Sequence, residues 1–164
     1  IYTGEDTLSL HDALPICHKT GIAKEEIPMI HVIMGLKGSG KTKKLIDAIH
    51  AAVADAHGDV VCIEYGRKLT YDVTYKVRLV DSKEYGIQSA EMLKGFLSGL
   101  HAGNFDITNV YIDNLYKIIG SDRAAGEEFI LWCAAFAEAN NMNITLTVSD
   151  DAACASEAIK AFIV

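Results

Sequence analysis

Eight consecutive residues have the types and spacing to act together: Gly35-Leu36-Lys37-Gly38-Ser39-Gly40-Lys41-Thr42. They fit the pattern G-x-x-x-x-G-K-[ST] at every fixed position. Glycines let successive backbone N–H groups turn inward without a Cβ in the way, making a concave anion nest. A lysine and a hydroxyl at its end suit a polyphosphate and its metal. Lys41 would reach the β- and γ-phosphates, and Thr42 would coordinate Mg²⁺. Gly35, Leu36, Lys37, Gly38, Ser39, Gly40, Lys41, Thr42 and the adjoining Lys43 therefore form a candidate nucleotide site, with ATP and Mg²⁺ as its expected cofactors.

Such a nest needs a strand before it and a helix after it, whose positive end points at the same anion. Ile30, Val32, Ile33 and Met34 make the apolar, β-branched run of a buried strand. Leu45, Ile46, Ile49, Ala52, Val53 and Ala56 then recur at helical spacing, with Gly58 placed to stop the helix. Val60–Glu64 reads as a second buried strand ending in a carboxylate. Residues 66–81 alternate around Leu69, Tyr71, Val73, Tyr75, Val77 and Leu79. That period of two predicts a strand or hairpin, then another strand near Arg78–Asp81. Ser89 caps a helix with Met92, Leu93, Phe96, Leu97 and Leu100 on one stripe, stopped at Gly103-Asn104. Val110-Tyr111-Ile112-Asp113 is a short strand ending in aspartate. Ser121-Asp122 opens a long helix with Phe129, Ile130, Cys133, Phe136 and Ala137 inward. Ile144–Val148 is a last core strand, and Glu157 to Phe162 a short closing helix. Alternating strands and helices predict an α/β fold: a three-layer α/β/α arrangement over a mainly parallel sheet of about five strands.

The loop GLKGSGKT and the run VYID resemble the Walker A and Walker B motifs of the P-loop NTPases. The likeness implies the P-loop NTPase fold, with Asp113 as the Walker B aspartate that joins Thr42 in holding Mg²⁺. Asn114 follows it, where many ATPases of the additional-strand class carry a catalytic glutamate. In RecA-like ATPases that position is often small and polar, and the activating glutamate ends the second strand. Val60–Glu64 and Val110–Asn114 are similar to that arrangement. The resemblance thus implies Lys41, Glu64 and Asp113 as catalytic residues, with Glu64 orienting or deprotonating the attacking water. It also puts a polar γ-phosphate sensor at Ser149, or at Thr147 if the strand register differs by two. Such enzymes often complete the site with an arginine from a neighbouring subunit. Arg67, Arg78 and Arg123 are the arginines available, Arg67 being the nearest to Glu64 in sequence.

The leading expectation is a small RecA-like ATPase that hydrolyses ATP with Mg²⁺. A nucleotide-dependent switch or partner-binding module with little turnover is one alternative, favoured by Asn114 and the small size. A small-molecule P-loop kinase is another, although no arginine-rich lid segment is visible. Neither N-K-x-D nor T-K-x-D, the base-reading motifs of GTPases, occurs. The partners expected are a nucleotide and either a second copy of the chain or another protein.

Composition bounds the rest. Half of the 164 residues are hydrophobic, and no apolar run reaches the ~18 residues a membrane span needs. The net charge of −7 is not the footprint of a general nucleic-acid binder. Cys17, Cys62, Cys133 and Cys154 form no C-x-x-C pair, and the histidines make no metal-ligand spacing. That pattern suits a reducing, cytoplasmic setting. The opening is unlike the remainder. Thr7-Leu8-Ser9-Leu10-His11-Asp12-Ala13-Leu14-Pro15-Ile16 resembles a sequencing-library adapter translated in one frame, as in an assembled metagenomic read. Lys24-Glu25-Glu26 can be encoded by a purine-rich ribosome-binding run shortly before Met29. Residues 1–28 are therefore expected to be a non-native leader, and 29–164 the P-loop domain. The leader holds two lysines and five carboxylates, so 29–164 carries about −4.

Overall fold

A computed structural model describes residues 29–55 and 57–164. The expected leader, residues 1–28, and Ala56 lie outside them. Among the described residues five strands form one sheet: β1 (Ile30–Met34), β2 (Asp59–Glu64), β3 (Val77–Asp81), β4 (Ile107–Ile112) and β5 (Asn143–Val148). Their order is β1-β5-β4-β2-β3, and every pairing is parallel. A sheet covered on both faces needs apolar side chains on both, hence the near-continuous Val and Ile runs. The outer edge of β1 is paired as well. Val32 N–H donates to the Phe162 carbonyl at 2.8 Å, and Val164 N–H donates to the Val32 carbonyl at 3.1 Å.

Helix α1 (Lys41–Asp55) covers one face, burying Lys41, Leu45 and Ile49 at successive turns. Leu45 and Ile49 pack with Ile33, Val60, Cys62, Leu69, Val77 and Tyr111. The other face carries α2 (Ala90–Gly103), α3 (Leu115–Ile119), α4 (Arg123–Asn140) and α5 (Glu157–Lys160). Leu93, Leu97, Ile118, Phe129, Ile130, Cys133 and Ile159 meet Val61, Ile63, Val110, Ile112, Ile144 and Leu146 there. The result is an α/β/α sandwich. The predicted caps form: Ser89 Oγ accepts from Met92 N–H at 3.2 Å, and Asp122 accepts from Ala124 N–H at 3.0 Å. Among the described residues no helix is long and apolar enough to cross a membrane.

Three expectations need correction. Residues 66–76 form turns rather than a strand or hairpin, and only Val77–Asp81 is extended. Leu69 is buried there, while Tyr71 and Tyr75 are 98% and 94% exposed. Their alternation therefore has no sheet face to serve. Gly66 and Arg67 are left-handed, with φ of 91° and 45°, which turns the chain back from β2. Second, β4 starts at Ile107, before the apolar run begins. Third, Gly58 does not have the left-handed φ of a helix-stopping glycine. An added Cβ would lie 2.4 Å from the Asp106 carbonyl oxygen and 2.5 Å from Thr108 Cγ2, so close approach requires the glycine.

Candidate functional site

Alternation decides which side chains meet at the carboxyl edge of the sheet. Cys62 and Tyr111 face α1, so Glu64 and Asp113, two residues further along, face the same way. Glu64 pairs in register with Asp81, and the β4–β5 register that pairs Ile112 with Leu146 brings Asp113 beside Thr147. Asp113 N–H extends the β2 ladder by donating to the Ile63 carbonyl at 2.9 Å. One row of polar side chains therefore crosses four strands: Thr147, Asp113, Glu64 and Asp81.

The loop between β1 and α1 brings its own groups to this row. Gly38 and Gly40 are left-handed, with φ of 87° and 83°. At Gly35 an added Cβ would lie 2.6 Å from Ser39 Oγ. The Tyr111 hydroxyl donates to the Ala48 carbonyl at 3.2 Å, fastening α1 to β4. With the helix so placed, Thr42 Oγ1 donates to Asp113 Oδ1 at 3.1 Å. Thr147 Oγ1 donates to the same oxygen at 3.1 Å and accepts from Asn114 N–H at 2.7 Å. Lys41 is buried, and its ammonium donates to the Leu36 carbonyl at 2.9 Å. Burial holds its pKa below the ordinary lysine range, against the opposing pull of Asp113.

Glu64 is held differently. It is buried, and its Oε2 accepts from Lys68 N–H at 2.6 Å and Leu69 N–H at 3.0 Å. Its Oε1, also buried, has no partner among the described residues. On β3, Asp81 Oδ1 accepts from Gly66 N–H at 2.9 Å and Lys83 N–H at 3.0 Å. The two acids clasp the start of the segment between β2 and β3. Burial raises the Cys62 thiol pKa, with Glu64 and Asp113 adding to the effect, so it stays a neutral core group.

A cavity of about 310 Å³ opens over the loop, lined in part by Lys37, Gly38, Gly40, Lys41, Thr42 and Thr147, with Asn114 and Ser149 completing the wall. Leu36 and Lys43 are exposed in the same loop region, and neither Asp113 nor Glu64, both buried, is part of the wall. Ser149 follows β5 and faces the cavity, while Thr147 is the hydroxyl that touches Asp113. Arg67 forms an ion pair with Glu84. Among the described residues no three His, Cys, Asp or Glu side chains converge as a metal site. Thr42 and Asp113 offer one hydroxyl and one carboxylate. That partial set fits Mg²⁺, which takes one or two protein carboxylates and completes its shell with phosphates and water. Sequence reasoning did not find the clasp by Asp81, because the pairing of β2 with β3 is invisible in a linear pattern. No protein-family model and no curated protein matches this chain.

Proposed function

We propose that this protein binds ATP with Mg²⁺ at residues 35–43 and hydrolyses it, as a compact RecA-like P-loop ATPase. The observation that carries the reading is the meeting of Thr42 and Asp113 at 3.1 Å, from opposite ends of the expected motif pair. The strand order supports it. β5 lies between β1, which leads into the loop, and β4, which leads to Asp113, as an additional strand between the two motif strands.

Mg²⁺ would be held by Thr42 and Asp113, and would neutralise charge on the β- and γ-phosphates. The remaining work belongs to the chain. Gly35 and Ser39 spend their N–H groups on the Val148 and Leu36 carbonyls, so the other loop N–H groups would bind phosphate oxygens, and Lys41 would exchange the Leu36 carbonyl for a phosphate oxygen. Thr147 keeps Asp113 oriented. Glu64, anchored through Oε2, has a buried, unpartnered Oε1 that would accept a hydrogen bond from the attacking water once the cavity extends to it on nucleotide binding. Ser149 faces the γ-phosphate end. The buried thiols of Cys62 and Cys133 suit a cytoplasmic setting.

The test is Mg²⁺-ATP hydrolysis by the full chain, with Lys41→Ala as the blank. Turnover that disappears in the blank is expected. ATP at about 100 times its dissociation constant should also add roughly 2.7 kcal/mol of stability. Neither ATP nor GTP stabilising the protein would overturn the reading. Stabilisation without turnover would instead favour a nucleotide-dependent switch, a reading that the clasped segment with exposed Tyr71 and Tyr75 supports.

A further inference from the structure

A second, larger cavity of about 560 Å³ adjoins the one over the loop, sharing Lys37, Asn114 and Ser149 with it. Its own wall is Tyr116, Lys117, Ser121 and the Arg123–Asp150 pair. The volume falls within the range of small-molecule sites, about 300–1,000 Å³. The wall has an uneven charge. Arg123 makes a forked contact to Asp150, at 2.7 and 2.8 Å, which uses up both charges. Lys37 and Lys117 form no ion pair among the described residues. The positive charge of Lys68 holds the Lys117 pKa below the ordinary range, with burial and Lys37 adding to the effect and Asp113 opposing it.

Exposed lysines usually splay into water. Here Lys68 is fixed at its backbone by the buried Glu64, and Lys117 sits on a helix whose Leu115 and Ile118 are core residues. The backbones that carry both lysines are thus anchored by buried residues. The aromatic wall is built as well. An added Cβ at Gly126 would lie 2.6 Å from Tyr116 Cε1, so α4 leaves room for the ring to seat. Two unpaired ammonium groups match the charge of one phosphate monoester, about −1.5 to −2 near neutral pH. Lysine serves phosphate as a point charge.

We propose that this cavity binds a small phosphate-bearing organic molecule, its phosphate between Lys37 and Lys117 and its organic part against Tyr116. The position relative to ATP rests on the function proposed above. Asn114 and Ser149, the shared wall, follow Asp113 and Thr147, at the γ-phosphate end of the expected nucleotide. The second ligand would therefore sit where it can sense or meet that phosphate.

The experiment is calorimetric titration of phenyl phosphate into the full chain, saturated with Mg²⁺ and adenylyl imidodiphosphate so that the loop is filled. Saturable one-site binding is expected, weakened about tenfold or more by Lys117→Met and by Lys37→Met, the loss of one charged contact. Both lysines are exposed, so both variants should fold. In nucleotide-free Lys41→Ala the same binding should persist. No saturation at millimolar phenyl phosphate, binding indifferent to Lys117→Met, or binding lost in Lys41→Ala would each overturn the inference, the last by assigning the anion to the loop itself. If adenylyl imidodiphosphate fails to bind while phenyl phosphate binds in a Lys117-dependent way, the anion site stands and the nucleotide reading falls.

Discussion

At the edge of β4 and β5, Asp113 Oδ1 is held by two hydroxyls, from Thr42 and Thr147. On the next two strands, Glu64 and Asp81 are held by backbone N–H groups, those of Gly66, Lys68 and Leu69 in the segment they clasp and that of Lys83 just after β3. The four side chains share one row, so sheet geometry alone does not separate them. Their partners do. A hydroxyl can rotate and turn a lone pair toward a metal, whereas an amide N–H can only donate. Asp113 can therefore trade its contact with Thr42 for a shared cation without unfolding anything. Glu64 Oε2 cannot leave its two amides without releasing Lys68 and Leu69. The row has an exchangeable half and a fastened half, and Glu64 Oε1 is a buried atom of the second with no partner among the described residues.

The largest effect expected from this contrast is at Asp113. Asp113→Asn should lower ATP turnover by about 10²–10³-fold, as for loss of one preorganised electrostatic group. Stability should fall by less than ~1 kcal/mol, because asparagine keeps an acceptor for the two hydroxyls. Steady-state hydrolysis and urea unfolding of the same samples decide it. A large stability loss with turnover intact would put Asp113 in the fastened half.

Glu64 gives the opposite pattern. Glu64→Ala leaves the buried Leu69 N–H and the part-buried Lys68 N–H without an acceptor and should cost about 2–3 kcal/mol of unfolding free energy. Glu64→Gln retains an oxygen for them, so stability should largely return. Turnover should nonetheless stay about 10²-fold down if Oε1 serves the water. Recovery of both in the glutamine variant would make Glu64 a fastening only.

Much of this architecture is legible in the linear chain. The five strands are runs of β-branched residues because both faces are covered, and the long helices announce themselves through Ser89 and Asp122. The turn between β1 and α1 is legible because Gly38 and Gly40 stand where the backbone takes a left-handed φ that other residues rarely adopt. The turns over 66–76 were not. Leu69, Tyr71, Val73 and Tyr75 imitate a strand, but two hydrogen bonds to Glu64 and the left-handed Gly66 and Arg67 override the pattern. α3 is too short to show a helical period. The start of β4 is hidden by Thr108 and Asn109, whose polar character breaks the apolar run; Asn143 Nδ2 donates to Asn109 Oδ1 at 3.3 Å across the sheet. The meeting of Lys37 and Lys117 on one cavity wall depends on strand order, which no local pattern records.

Thr147 tests the boundary between the two halves, because it serves both a carboxylate and an amide. Thr147→Val keeps the shape and removes the hydroxyl, leaving Asn114 N–H without its acceptor. About 1–2 kcal/mol of stability should be lost. Thr147→Ser should recover most of it. If turnover falls in the valine variant and recovers in the serine variant, the hydroxyl orients Asp113. If only stability responds, Thr147 belongs with the fastenings.

The smallest effect concerns a third kind of carboxylate, paired with a guanidinium at the surface. The Arg123 guanidinium beside Asp150 holds its carboxyl below the ordinary value of 3.8, with Asp151 N–H adding a smaller pull. A depressed folded pKa contributes stability above the unfolded value, and that contribution is lost as pH falls through the folded one. Asp150→Asn should therefore melt slightly below wild type at pH 7. The gap should close as pH falls below 3.8 and through the depressed folded pKa, where both proteins become neutral at this position. Arg123 is more than half exposed, so solvent screening keeps the difference small. The same substitution also frees Arg123 on the cavity wall. Phenyl phosphate should then bind more tightly than to wild type, opposite in sign to its effect on melting. A variant that weakened both would mean that Asp150 shapes the wall rather than neutralising it.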